Sequence, residues 1–398
     1  MKLLHVIATA DPRDGGPIEG VLRLGESFRA MGHSQELLTL DSPDAPWVSG
    51  APAPIHAMGR LGEAPRGPLD RLALRFHRAP AAPRWLRAHA GDYDGIIVDG
   101  LWNYSTRTAR LALPGGPTPY VVFSHGMLDP WFASRFPVKH AIKQLLWRFN
   151  EGVLLRGAAA VAFTCEQERK LARENWRPWG MREAVVGFGT SPPPPPTAAM
   201  EQAFRAAVPT LGERPYLLFL SRLHEKKGVD VLLEAFGAMA QDCPYDLVVA
   251  GPGEPAYVAS LKALAERQCP AGRVHWPGMV SGDAKWGALH GCAAMVLTSH
   301  QENFGVVVAE AVGCGRPVVI SDQVNIHDEV AAARAGLVCR DEANSARDAL
   351  ARFSTLSAGE RAAMGERGRT LFAEKFTMDS TARRLLAIFE GAQGVGTQ

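Results

Sequence analysis

The chain has 398 residues, 46% of them hydrophobic and 21% charged, which is enough for two cores of an ordinary globular protein. A net charge of +2 provides no global field that would select nucleic acid as partner. No run approaches the roughly 18 consecutive apolar residues of a membrane span, and the short apolar start is expected to be a first strand, not a leader.

In chain order, Leu3–Ala8 reads as a buried strand closed by the turn-rich Asp11–Pro17. Ile18, Val21, Leu22, Phe28 and Met31 then share one helical face, with Gly32 as a stop. Leu37–Leu40 is a second strand, and residues 43–68, rich in Pro, Gly and Ala, are expected to be largely irregular. Between Arg60 and Arg87 seven arginines face only Glu63 and Asp70, either a solvated surface or a face for phosphorylated or anionic groups. Gly95–Asp99, Tyr120–Ser124, Ala158–Thr164 and Val185–Phe188 read as strands, with one long helix over Lys139–Leu155. Five prolines, Pro192–Pro196, are stiff and extended and mark a linker. The alternation then restarts: strands at Tyr216–Ser221, Leu247–Ala250, Val274–Trp276, Ala293–Thr298 and Val318–Ser321, with helices between and after them, the last over Ser380–Phe389. Alternating strands and helices predict two α/β domains with parallel sheets, over 1–190 and 210–377, joined by 191–209. Ligands in such sheets bind beyond the carboxyl ends of strands, so the loops there carry the chemistry.

Four such loops stand out. In Ser299–Ser321, only Glu310 and Arg316 are charged between Phe304 and Ile320, and a carboxylate in so apolar a run is costly unless hydrogen-bonded. A structural Glu310–Arg316 pair is one solution and a ligand another. Val306, Val307 and Val308 favour a strand, so pattern alone leaves strand and helix open. After Tyr216–Ser221, Arg222 and Lys227 put two cations at a strand end, which suits a diphosphate; Lys226 is expected to face solvent. Gly15-Gly16-Pro17 permits close backbone approach of a ligand. His125 follows the Tyr120–Ser124 strand. Asp92-Tyr93-Asp94 precedes a strand and reads as a loop, not a metal site. The six cysteines (Cys165, Cys243, Cys269, Cys292, Cys314, Cys339) form no C-x-x-C pair or zinc-like spacing and read as small buried residues of a reducing compartment.

Glu302 and Glu310 with seven residues between, Phe304-Gly305 after the first, and the closing Gly313-Cys314-Gly315-Arg316-Pro317-Val318 resemble the signature of the retaining glycosyltransferases of family 4. Arg222-Leu223 followed by Lys227-Gly228 matches the same family. The resemblance implies the GT-B fold: α/β, two Rossmann-like parallel-sheet domains facing across a cleft, with helix 378–392 returning to the first. Glu310 resembles the residue that holds the nucleotide ribose, and Glu302 the one that contacts the transferred sugar, beside the backbone of Asn303, Phe304 and Gly305. A helix starting at Gly305 would aim free N–H groups and its positive end at donor oxygens. Arg222 and Lys227 would neutralise the leaving diphosphate, so neither metal nor other cofactor is implied. Gly251-Pro252-Gly253 and Gly278-Met279-Val280 match loops around the nucleoside, and Gly16 would approach the donor. His125 resembles a histidine near the reacting sugar, and Trp102, Asn103 and Tyr104 an acceptor-binding segment, core packing being the alternative for those three.

The implied activity is transfer of a sugar from a nucleoside diphosphate sugar (GDP- or UDP-linked) to a glycan or polyprenyl-linked acceptor in surface polysaccharide assembly. Configuration would be retained, the leaving diphosphate itself deprotonating the acceptor. Alternatives are a sugar-nucleotide epimerase of the same architecture and a non-catalytic two-domain sugar-binding protein. The expected place is the cytoplasm, at the inner face of the plasma membrane if Lys139–Arg156 is an interfacial helix rather than one with a buried apolar face and solvated cations.

Overall fold

A computed structural model describes residues 1–14, 16–59 and 79–394. Short runs of Val, Ile, Leu and Phe, buried at every position, cannot alternate between core and solvent; they fit only sheets covered on both faces. Two such sheets form. In the first, β1 (Lys2–Val6), β2 (Ser34–Thr39), β3 (Ile55–Ala57), β4 (Gly95–Asp99), β5 (Tyr120–Phe123), β6 (Ala160–Phe163) and β7 (Glu183–Val185) take the order β3-β2-β1-β4-β5-β6-β7. In the second, β8 (Tyr216–Leu220), β9 (Asp246–Ala250), β10 (Val274–Gly278), β11 (Ala294–Leu297), β12 (Val318–Ser321) and β13 (Gly336–Cys339) take the order β10-β9-β8-β11-β12-β13. All described pairings are parallel. Strand order reverses between β1 and β4 and again between β8 and β11, the positions where doubly wound sheets open a crevice for ligands.

The chain divides into one unit of Met1–Gly189 with Met378–Gln398 and another of Thr190–Thr377. Met378, Leu385 and Phe389 of the C-terminal helix join Leu3, Phe28, Ile97 and Val121 in the first unit's core. Gly95 makes room for this: a Cβ there would lie 2.7 Å from the Phe389 ring.

Two elements differ from the sequence expectation, and a third concerns an alternative that it left open. The stretch 191–209 belongs to the second unit and contains the helix Ala198–Ala207, capped by Thr197. It sits so close to the helix Gly282–Gly291 that a Cβ on Gly287 would lie 2.0 Å from the Met200 carbonyl oxygen. The long helix is two, Pro137–Phe149 and Glu151–Gly157, because Asn150 leaves the helical region (φ −125, ψ −82). Beyond that break a Cβ on Gly152 would come within 2.5 Å of the Trp147 carbonyl oxygen, an approach only glycine allows. Finally, the apolar stripe of Pro137–Phe149 is not buried: Val138, Ile142, Leu145 and Phe149 are 74%, 56%, 60% and 69% exposed, and only Trp147 on the opposite side is enclosed. Of the arginine-rich stretch, Arg60, Arg66, Arg71, Arg75 and Arg78 lie outside the described residues, as does Gly15. All six cysteines are buried. No described helix is long and apolar enough to cross a membrane.

Candidate active site

In the second unit, the loop after β8 is tied to its neighbours by backbone. Leu223 N–H donates to the Pro252 carbonyl at 2.7 Å, and Gly251 N–H to that of Gly278 at 2.7 Å. Gly251 has φ +142, and a Cβ there would lie 1.8 Å from the Ser221 carbonyl oxygen. The Gly251-Pro252-Gly253 motif thus has a task of its own, holding the Arg222 loop. Arg222 is exposed. The turn Glu225–Lys227 follows, the His224 ring accepting from Lys226 N–H, and Gly228 takes the left-handed conformation (φ 59) against the Thr298 carbonyl. Thr298 Oγ1 donates to the Gly228 carbonyl at 2.7 Å and His300 N–H to that of Lys226 at 2.8 Å.

These bonds stitch the ends of β8 and β11 together, and the two charged motifs meet there. Lys227 Nζ donates to the Glu302 carboxylate. Glu302 is itself pinned to the loop after β12: its N–H donates to the Gln323 carbonyl at 3.0 Å, and its carbonyl accepts from Asn325 N–H at 3.0 Å. Asn325 Nδ2 also donates to Asn303 Oδ1 at 3.4 Å. Phe304 is buried edge-on against Phe376, ring centres 5.4 Å apart. Gly305, at φ 74, is the N-cap of the helix Val306–Gly313, so tertiary packing of a stretch apolar but for Glu310 overrides the valines' strand preference. The first turn of that helix leaves N–H groups without intrahelical partners and a partial positive charge at its mouth.

Glu310 lies in the middle of this helix, buried, and Lys285 Nζ donates to its Oε1 at 2.6 Å. The alternative Glu310–Arg316 pair does not form; Arg316 Nε is buried with no hydrogen-bond partner among the described residues. Sequence reasoning missed Lys285, whose helix shows no motif around it. Met279 is 71% exposed while Val280 is buried, on the turn that Gly278 makes at φ 73. Arg222, Lys227, Glu302 and the start of the Val306–Gly313 helix therefore follow the two strands of the switch point, and Glu310 lies deeper with Lys285.

In the first unit the loop after β1 is held by Asp41, which accepts from Thr9 Oγ1 at 2.6 Å and Ala10 N–H at 2.7 Å. Gly16 opens the helix Gly16–Ala30, and a Cβ on it would meet nothing within 4 Å. Among the described residues no packing demands glycine there. Beyond β4, Asn103 Oδ1 accepts from Thr106 N–H at 3.1 Å and caps the helix Tyr104–Ala112. Trp102 packs on Trp176, ring centres 4.8 Å apart, and donates from Nε1 to the Met127 carbonyl at 3.3 Å. Tyr104 packs partly against Leu40, Ala79 and Ala82. Each of the three thus has a structural task.

Beyond β5, Glu168 organises the chain around His125. Its carboxylate accepts from Ser124 Oγ at 2.6 Å and Gly126 N–H at 2.7 Å, and from Thr164 N–H at 2.7 Å. His125 Nε2 donates to Asp99 Oδ1 at 3.0 Å, and His5 Nδ1 to Asp99 Oδ2 at 2.6 Å. Burial opposes ionisation of Asp99, but the two imidazoles outweigh it and hold its pKa below the ordinary carboxylate value. His5 and Glu168 carry no motif; the available signal for His5 is that it is the polar residue in the strand run Leu3-Leu4-His5-Val6-Ile7. Among the described residues no group of three or more His, Cys, Asp or Glu could hold a metal.

The chain is similar to known proteins over most of its length. Residues 200–371 match the model of "Glycosyl transferases group 1" and residues 15–189 that of "Glycosyl transferase 4-like domain". The D-inositol 3-phosphate glycosyltransferase of Xylanimonas cellulosilytica is 30% identical over 95% of this chain and 92% of its own. A GDP-mannose-dependent alpha-(1-6)-phosphatidylinositol monomannoside mannosyltransferase of Mycobacterium tuberculosis is 27% identical over 71% of each chain. Among solved structures, the sucrose-phosphate synthase of Thermosynechococcus elongatus superposes with a TM-score of 0.75 at 20% identity, covering 99% of this chain and 100% of its own. The chain is a member of the group 1 glycosyltransferases of family 4, with the GT-B fold.

Proposed function

We propose that the protein moves a sugar from a nucleoside diphosphate sugar to a glycan or lipid-linked acceptor in surface polysaccharide assembly, with retention of configuration and without a metal. The observation that carries this is the meeting of Lys227 and Glu302, 75 residues apart, beside the Gly305 helix mouth. A cation, a carboxylate and a helix N-terminus at one strand end can share a diphosphate and the hydroxyls of its sugar. Arg222 adds a second cation for the leaving group, which makes a metal unnecessary. Glu310, oriented by Lys285, holds the ribose, with Met279 and Val280 near the base. Gly16 gives room for donor approach, and His125 of the first unit serves the same transfer. The enzyme's contribution is positioning and electrostatic stabilisation of the leaving diphosphate.

The exposed stripe Val138, Ile142, Leu145, Phe149 supports an acceptor carried by a membrane. Lys139 and Lys143 flank it on one side and Arg148 on the other, and no acidic residue occurs from Pro130 to Asn150. Burying such side chains is worth about 1.5–3 kcal/mol each, and each basic residue near an anionic surface adds about 1 kcal/mol. The helix rests in the plane of the inner leaflet, beside polyprenyl-linked acceptors.

Incubation with a panel of UDP- and GDP-sugars and lipid-linked acceptors tests the reaction. The expected result is release of nucleoside diphosphate with a new α- or β-linkage matching the donor's anomer. Epimerised donor, or binding without release, overturns it. Flotation with phosphatidylglycerol vesicles tests the membrane contact: the protein floats at low salt and Leu145→Glu does not. Equal behaviour of the two proteins removes the membrane from the proposal.

A further inference from the structure

His5, Asp99 and His125 come from β1, the end of β4 and the loop after β5, which are neighbours in the sheet. Both oxygens of the buried Asp99 carboxylate are taken, one by each imidazole. Because Nε2 of His125 donates, its Nδ1 is left as the available atom, with no partner among the described residues. The ring cannot swing freely: Phe123 stacks on it at 4.3 Å and Phe188 meets it edge-on at 6.2 Å. The backbone is constrained too. His125 (φ 47) and Trp102 (φ 67) are both left-handed without being glycine, and they follow the neighbouring strands β5 and β4, the latter ending at Asp99. Such conformations persist only when the surroundings over-determine them, and they gather at functional sites. His5 Nε2 is buried with no partner among the described residues, so the Nδ1 bond to Asp99 is kept beside an unpaired acceptor.

We infer that Asp99 and His5 are positioning residues: a buried chain, His5–Asp99–His125, that locks His125 as the Nε2–H tautomer and presents Nδ1 as a hydrogen-bond acceptor for a hydroxyl of the transferred sugar. The inference rests on the proposed role of His125 in transfer. Asp99 does not touch substrate; it acts by fixing which nitrogen carries the proton and where the ring points. His5 holds the second carboxylate oxygen, so that Asp99 cannot rotate away from His125. A purely structural pair would not need a left-handed histidine.

Nitrogen-15 NMR of the imidazoles in the full chain tests this directly, the His125 signals being identified by their loss in His125→Gln. The wild type shows His125 protonated on Nε2 with a bare Nδ1. In Asp99→Asn only the amide oxygen can accept, so one imidazole loses its acceptor and the His125 tautomers mix. Turnover then falls on the order of 10²-fold, with little change in KM for the nucleotide sugar, and His5→Phe gives a smaller loss in the same direction. Protonation of wild-type His125 on Nδ1 overturns the chain, and this measurement stands even if Asp99→Asn does not fold. So does wild-type turnover by Asp99→Asn alongside an inactive His125→Ala. Wild-type turnover by His125→Ala removes both the chain and the role of His125, while leaving the donor reading to be judged on Lys227.

Discussion

In the second unit, the loops at the switch point are rich in glycine and charge: Arg222 exposed, Lys227 on Glu302, and Lys285 on Glu310 behind them. In the first unit, the loops after β4 and β5 carry Trp102, Tyr104 and Trp131, and the charged groups beside them, Asp99 and Glu168, are enclosed and hydrogen-bonded. The same winding of a parallel sheet thus supports two kinds of site. One offers fixed charge and backbone N–H groups to a charged ligand. The other offers shape, rings and one oriented imidazole, which suits a neutral sugar.

Breaking the charged side is expected to have the largest effect. Lys227→Ala lowers turnover on the order of 10³-fold with a cooperative melt retained; near-normal product formation would leave the second unit without its diphosphate site and dissolve the contrast. Next, Gly251→Ala drives a Cβ into the Ser221 carbonyl, backbone against backbone, and costs about 3 kcal/mol or more. Denaturant unfolding followed by hydrogen exchange locates that loss in the second unit. Gly16→Ala in the first unit meets open space and changes stability by less than about 0.5 kcal/mol, while weakening donor use. Lys285→Met releases the buried Glu310 carboxylate and weakens nucleoside diphosphate binding about tenfold by calorimetry, or about 1.4 kcal/mol; unchanged affinity separates Glu310 from the ribose.

A last, pH-dependent effect belongs to β2 of the first unit. Burial raises the pKa of Glu36, but bonds from His56, Tyr93 and Lys2 outweigh it and bring it down to about 2 from 4.5. A depressed folded pKa stabilises above the unfolded value, and that stability disappears as pH falls from about 4.5 to about 2. Glu36→Gln is therefore less stable than wild type at neutral pH, and the two converge in acid; a difference that persists below the lower value contradicts the ion pair as its source.

The contrast also explains what the sequence reveals. Glu302, Gly305 and Glu310 lie within nine residues, and Arg222 and Lys227 within six, so local spacing exposes them. The bonds that turn them into a site are not local. Lys227 reaches Glu302 across 75 residues and Lys285 reaches Glu310 across 25, and only strand order brings them together. His5 and Asp99 are 94 residues apart, and in one dimension His5 is merely a polar residue in an apolar strand. Likewise an amphipathic pattern cannot say which face is covered. The stripe of Pro137–Phe149 reads equally as buried or exposed until Trp147 is seen holding the opposite side against Trp102, Trp176 and Trp179.

The C-terminal helix has a consequence for biosynthesis. Met378, Leu385 and Phe389 complete a core whose other members leave the ribosome first. While residues 190–377 are being made, β1 and β4 lack the side chains that cover one face, and Gly95 faces the place Phe389 will take. The second unit is contiguous and can close as it emerges, whereas the first must wait for the helix that begins at Met378. A truncation before residue 378 therefore leaves the earliest-made sheet uncovered, a substrate for chaperones and proteases, although every strand of it is present.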